Sequence, residues 1–198
     1  MVIRRLINRT QVDFAPREDT YGLQVFKECW EFDGGTKTYW KYKLPDVAQV
    51  VALTPNGKII AVREFQPGVG ADYLHLPAET FEPDESPIEV AKRGLLEETG
   101  FAGTSFQYLS AILENSGRSD RLIHAILVTN CVKIQPGEDG ITVQLLEPKE
   151  LWTAMLENFL INVDRPHGGG NSLMVMTVAF HHLGLVGVRA PAQGDEGG

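Results

Sequence analysis

The sequence predicts an α/β (α+β) fold: an α/β/α sandwich around a mixed β-sheet, with an antiparallel strand region at the N-terminus. Three observations point there. Residues 21–65 are rich in β-branched and aromatic side chains cut by turn signals, one internal segment switches to helical period, and two more helical segments follow a second set of strands.

In the first region, Asp33-Gly34-Gly35 and Pro55-Asn56-Gly57 break the run, which predicts hairpin-linked strands near 21–32, 35–44, 47–54 and 58–65. Over 86–99 the period changes. Ile88, Ala91 and Leu95 recur at helical spacing, Ser86 and Glu89 form a capping box, Pro87 takes the first helical position and Gly100 follows the end. Further strands are expected near 105–113, 121–130 and 141–147, then helices from about Pro148 to Asn158 and from about Ser172 to Leu183. Arg165-Pro-His-Gly-Gly-Gly-Asn171 reads as a flexible connector, since no P-loop pattern accompanies its glycines. The tail 190–198 has almost no apolar content and is expected to be disordered.

With 198 residues, 43% hydrophobic and 22% charged, the chain is long enough to bury a substantial core. The start, MVIRRLIN, carries no apolar run of signal or membrane-span length, so a soluble, cytoplasmic protein without a membrane partner is expected. Cys29 and Cys131 show no metal-site spacing and read as ordinary reduced cysteines. A net charge of −8 argues against nucleic acid as a partner. Small phosphates remain admissible if carboxylates hold divalent cations that reverse the local charge.

The helix over 86–99 carries the chemistry. With Leu95 as the centre of the apolar face, Glu98 lies about 60° from that centre and Glu97 about 160° away, at 100° per residue. A carboxylate bordering the core must be paired, protonated or bound to a cation. Arg93 is placed to pair with Glu97 one turn on, and Glu85, just outside the helix, is placed to reach the same guanidinium.

From Glu79 the segment runs Glu79-x5-Glu85-x7-Arg93-Gly94-Leu95-x-Glu97-Glu98-x-Gly100-Phe101. This resembles the Nudix box, G-x5-E-x7-R-E-U-x-E-E-x-G-U with U a bulky apolar residue, and departs from it at Glu79 and Gly94. The preceding Leu76-Pro77-Ala78 resembles the Leu-Pro-Ala-Gly lead-in of the ADP-ribose and nucleotide-sugar branch. The resemblance implies a Nudix hydrolase domain over 46–189, preceded by the strand region 1–45.

It further implies a loop–helix–loop whose glutamates hold Mg²⁺ or Mn²⁺ against a pyrophosphate. Such hard cations suit carboxylate oxygens, neutralise charge on the leaving phosphate and activate water. Glu97, Glu98 and the carbonyl of Ala78 are the implied ligands. Gly94 removes a carboxylate one turn before Glu98 and weakens the helix by about 1 kcal/mol relative to alanine. Glu79 either points to solvent or supplies the lost oxygen. Arg93, with Glu97 and Glu98, is implied to be catalytic, and Glu85 and Gly100 support the box.

The resemblance extends over roughly 40–185. Lys58–Pro67 looks like the strand before the box in ADP-ribose pyrophosphatases, with Arg63 in register as a substrate contact and Gln66 in place of a second arginine. Asn115-Ser-Gly-Arg-Ser-Asp-Arg121, which contains Arg118, is similar to the family's Ser-Pro-Gly-x-Ser-Asp-Glu stretch, with Ser116 and Arg121 as departures. A catalytic base is implied in the late loop Gly137-Glu138-Asp139-Gly140, where either carboxylate is placed to orient or deprotonate water. Trp30, Tyr39, Trp40 and Tyr42 lie on strands that in this branch exchange across a homodimer and stack the substrate base; core packing accounts for each ring equally well. The expected activity is hydrolysis of a small-molecule nucleoside diphosphate derivative such as ADP-ribose. The competing reading is a Nudix-fold nucleotide-sugar binding or regulatory protein, favoured by Gly94.

Overall fold

The computed structural model describes residues 5–12, 22–67, 70–160 and 170–185. Most of the connector at 165–171 and the tail 190–198 lie outside the described residues. Strands β1 (Arg5–Val12), β2 (Gln24–Phe32) and β3 (Gly35–Lys43) form an antiparallel sheet of their own in that order. β1 lies upstream of every expected strand: its residues alternate no apolar face, and Leu6 and Ile7 are exposed.

The central sheet contains β4 (Val47–Leu53), β5 (Ile59–Gln66), β6 (Ala71–His75), β7 (Ala78–Thr80), β9 (Ser105–Leu113), β10 (Leu122–Thr129) and β12 (Thr142–Leu146). Short β8 (Phe101–Ala102) and β11 (Val132–Lys133) pair with each other. β4 and β10 run parallel and the remaining pairs antiparallel, so the sheet is mixed.

Alternation along the strands divides the core into two layers. Ala48, Val50, Ala52, Ile60, Ile126 and Val128 pack against Val90, Ala91 and Leu95 of helix α1 (Pro87–Thr99). Val51, Ile59, Ala61, Ile123, Ala125 and Leu127 face the other way, onto Leu151 and Met155 of α2 (Pro148–Leu160) and Val175, Met176 and Phe180 of α3 (Gly170–His182). Helices therefore cover both faces. Period-two burial of this kind places successive side chains in opposite layers, and full burial of each large aliphatic contributes about 1.5–3 kcal/mol.

One irregularity positions the site. β4 pairs with β5 only at Ala52↔Ile60 and Leu53↔Ile59, after which β5 continues with β6. The other end of β4 takes β7 instead, with Ala48 opposite Glu79. Neither β6 nor β7 was legible in the sequence, because Ala71–Thr80 lacks a run of β-branched residues and contains a proline. The split delivers Ala78 and Glu79 to the face of α1.

Candidate active site

α1 forms where its signals place it. The Ser86 hydroxyl accepts from the Glu89 N–H while the Glu89 carboxylate accepts from the Ser86 N–H, Pro87 opens the helix, and Gly100 closes it at φ 74° with its N–H on the Leu96 carbonyl at 2.8 Å. These caps fix which way each glutamate points. Glu97 faces solvent, whereas Glu98 is buried at 8% exposure.

Arg93 organises the outer side. Its Nε and Nη2 donate to Glu85 at 3.0 and 2.7 Å as a two-pronged fork, and Nη2 also donates to the Thr80 carbonyl at 2.9 Å. Nη1 lies 3.4 Å from Glu79 Oε2 and 3.8 Å from Glu97 Oε2. The fork holds the Glu85 carboxyl below the usual carboxylate range and raises the Arg93 guanidinium further above its own. Arg93 touches three carboxylates, so its part is to position them.

Glu98 stands on the inner side. Its Oε1 accepts the Ala78 N–H at 3.2 Å, while Oε2 is buried with no hydrogen-bond partner among the described residues. Burial pushes its carboxyl up to about 8, against the Ala78 hydrogen bond, and the nearby charges of Glu64, Glu79 and Glu138 push it the same way. A desolvated carboxylate surrounded by like charge is a poor anion alone and a good ligand for a hard cation.

The late acidic loop lies beside the Glu98 backbone because it is docked on the end of α1. Ile134 and Gln135 both donate to the Gly100 carbonyl, at 2.9 and 3.3 Å. A Cβ on Gly137 would come within 2.6 Å of the Glu98 carbonyl oxygen, so the two backbones touch. Glu138 and Asp139 are both exposed, and it is the Glu138 charge that acts on Glu98.

Glu64 was missed by sequence reasoning. Its Oε1 contacts His75 Nε2 at 2.9 Å and accepts from Gln66 at 2.9 Å. The available signal was a carboxylate two residues past the buried run Ile59–Val62, but β6, which carries His75, was not foreseen. Arg63, the next residue back, is half-buried and paired across the sheet with Thr142 and Leu74.

Trp40 and Arg118 lie elsewhere. Tyr42 donates its N–H to the Arg118 carbonyl at 2.9 Å, Arg118 Nη1 donates to the Trp40 carbonyl at 3.2 Å, and Lys41 pairs with Asp120 at 2.8 Å, fastening the loop at 114–121 to β3. Between them is a cavity of about 500 Å³ lined by Trp30, Tyr39, Trp40, Lys41 and Arg118 among others. None of Glu79, Glu97 and Glu98 lines it.

The described residues hold no group of three His, Cys, Asp or Glu side chains gathered tightly enough to bind a metal ion as they stand. Glu79 and Glu64 are turned toward Arg93 and His75, and a cation would have to draw them away. The unpartnered Glu98 oxygen fits such an ion, and oxygen is the donor that Mg²⁺ and Mn²⁺ take.

Residues 43–163, more than half of the chain, match the family model described as NUDIX domain. A stretch of 85 residues is 33% identical to the ADP-ribose pyrophosphatase of Bacillus subtilis (strain 168), covering 43% of this chain and 46% of that protein. A stretch of 71 residues is 37% identical to the ADP-sugar pyrophosphatase of Mus musculus, covering 36% of this chain and 33% of that protein. The chain thus spans less than half the length of these curated relatives. The fold is similar to that of a crystal structure of an ADP compounds hydrolase, with a TM-score of 0.69 at 18% identity over 92% of this chain and 97% of that one. The glutamate-bearing helix, the strand that faces it and the acidic loop on its end all fall inside the matched stretch: the chain belongs to the Nudix family.

Proposed function

We infer that this chain hydrolyses the pyrophosphate bond of a nucleoside-diphosphate sugar such as ADP-ribose, giving a nucleoside monophosphate and a sugar phosphate, with Mg²⁺ or Mn²⁺ as cofactor. The observation that carries this reading is the Glu98 carboxylate: buried, with one oxygen unpartnered among the described residues, and under the negative charge of Glu64, Glu79 and Glu138. The names of the two curated relatives supply the substrate class.

Glu98, with the Ala78 carbonyl and a second carboxylate, would hold the cation. When bound, the cation neutralises the pyrophosphate and lowers the pKa of water beside it. Glu138, set over the end of α1, accepts the proton of the attacking water. Arg93 keeps Glu85 and Glu97 in place. Arg63 supports the phosphates from β5, and Trp40 and Arg118 hold the nucleoside. Because their cavity excludes the box glutamates, the reading includes a homodimer in which one chain's N-terminal sheet completes the other's site. Among the described residues no helix is long and apolar enough to cross a membrane, and a cytoplasmic location is part of the same reading.

A second reading, a nucleotide-sugar binding protein without turnover, draws on Gly94 and on the lack of a ready-made cation cage. One experiment separates them. ADP-ribose and other nucleoside-diphosphate sugars are incubated with Mg²⁺ or Mn²⁺ and the chain or its Glu98→Gln variant. Metal-dependent release of the monophosphate, lost in Glu98→Gln, supports the hydrolase. Ligand binding without release supports the second reading.

A further inference from the structure

The two departures from the box face each other. Glu79 lies on β7 and Gly94 on α1, and a Cβ built on Gly94 would stand 2.3 Å from Glu79 Cβ, 3.1 Å from its Cγ and 3.5 Å from its Cα. Two carbon atoms cannot approach so closely without bonding, so the positions cannot both carry a side chain in this backbone. The Glu79 side chain therefore starts from almost the point at which a residue-94 side chain would start, with the opposite element as its base.

A second observation points to a ligand there. Ala78, the neighbour of Glu79 on β7, donates its N–H to Glu98 Oε1 at 3.2 Å. The other oxygen of that carboxylate, on a side chain more than nine-tenths buried, has no partner among the described residues. The Glu79 carboxylate is held loosely: Oε1 accepts its neighbour's N–H from Thr80 at 2.7 Å, and Oε2 has a single contact with Arg93 at 3.4 Å. Arg93 keeps its two-pronged bond to Glu85 if Glu79 turns away.

We propose that Glu79 and Gly94 are a reciprocal exchange, in which the carboxylate missing from the helix is supplied by the strand, so that Glu79 and Glu98 together hold the divalent cation. This rests on the hydrolase reading for the use of the cation, but not for its binding. It also explains why the departures occur as a pair: a glutamate at 79 demands a residue without a Cβ at 94.

The test is a set of variants measured for direct Mn²⁺ binding, by the electron paramagnetic resonance signal of free Mn²⁺, beside hydrolysis of ADP-ribose and thermal unfolding in EDTA. Glu79→Gln keeps the shape and removes the charge, and is expected to weaken Mn²⁺ by about tenfold or more. Gly94→Glu alone is expected to unfold at lower temperature. Glu79→Gly combined with Gly94→Glu is expected to restore folding, Mn²⁺ binding and hydrolysis together. Wild-type Mn²⁺ affinity in Glu79→Gln, with binding lost in Glu98→Gln, overturns the exchange and leaves the proposed function standing. A double variant that folds but binds Mn²⁺ no better than Glu79→Gly overturns it as well. Mn²⁺ binding by the wild-type chain without hydrolysis leaves the exchange and removes the hydrolase reading, and no Mn²⁺ binding by the wild-type chain removes both.

Discussion

Gly137 touches the Glu98 carbonyl: a Cβ at 137 would stand 2.6 Å from that oxygen and 2.9 Å from the Thr99 carbonyl carbon. The acidic loop is thus seated on the last turn of the helix whose final glutamate is the buried one. Glu138 is expected to be the base, so Glu138→Gln should lower kcat for ADP-ribose by about 10²–10⁴-fold. Asp139→Asn should leave it within a few-fold, and Gly137→Ala, which lifts the loop, should lower kcat with the base intact. Steady-state kinetics at saturating metal check all three.

Gly94→Ala is expected to destabilise the protein although alanine is the better helix former. The propensity gain is about 1 kcal/mol, while forcing a methyl group against Glu79 Cβ costs about 1–3 kcal/mol. In a Glu79→Gly background the same change should become stabilising. Urea unfolding in EDTA of the four proteins gives the coupling between the two positions.

Arg93→Lys should be destabilising by about 1–2 kcal/mol, since an ammonium cannot reproduce the fork on Glu85 or serve the Thr80 carbonyl at the same time. The change should also lower the metal concentration needed for half-maximal activity, because Glu79 is freed from the guanidinium it must leave to reach the cation. Thermal unfolding and a metal titration read the two effects.

Without metal, Glu98 should make the protein less stable as pH rises. Burial raises its folded carboxyl to about 8 from the ordinary glutamate value of 4.5. Between those values the folded state holds a proton that the unfolded chain has released. Its contribution is therefore fully present below about pH 4.5 and is lost through the folded value, at about 1.4 kcal/mol per pH unit. Comparing wild type with Glu98→Gln in EDTA from pH 5 to 9 isolates this slope, which Glu98→Gln should lack. Saturating Mn²⁺ should flatten or reverse the difference, because the ion favours the carboxylate.

Local rules made α1 legible. Its caps, its first-turn proline and the angle between Glu97 and Glu98 all depend on residues within a few positions of one another, and a helix obeys such rules wherever it is placed. The central strands were legible for a similar reason: Val47–Leu53 and Ile59–Val62 are apolar enough to announce burial on both faces. The α/β/α layering followed from their order.

The site was legible only in part. The spacing of Glu85, Arg93, Glu97 and Glu98 made the candidate chemistry visible, and the helical angle between Glu97 and Glu98 fixed that Glu98 points inward and Glu97 outward. That Glu79 meets Gly94, and that the charges of Glu64 and Glu138 bear on Glu98, were decided by the tertiary structure. Each of those relations depends on where β4 parts from β5, where β7 inserts, and how the loop after β11 settles on the end of α1. Such contacts join residues far apart in the chain, and they are set by close packing of backbones, of which a linear pattern of side chains carries no record.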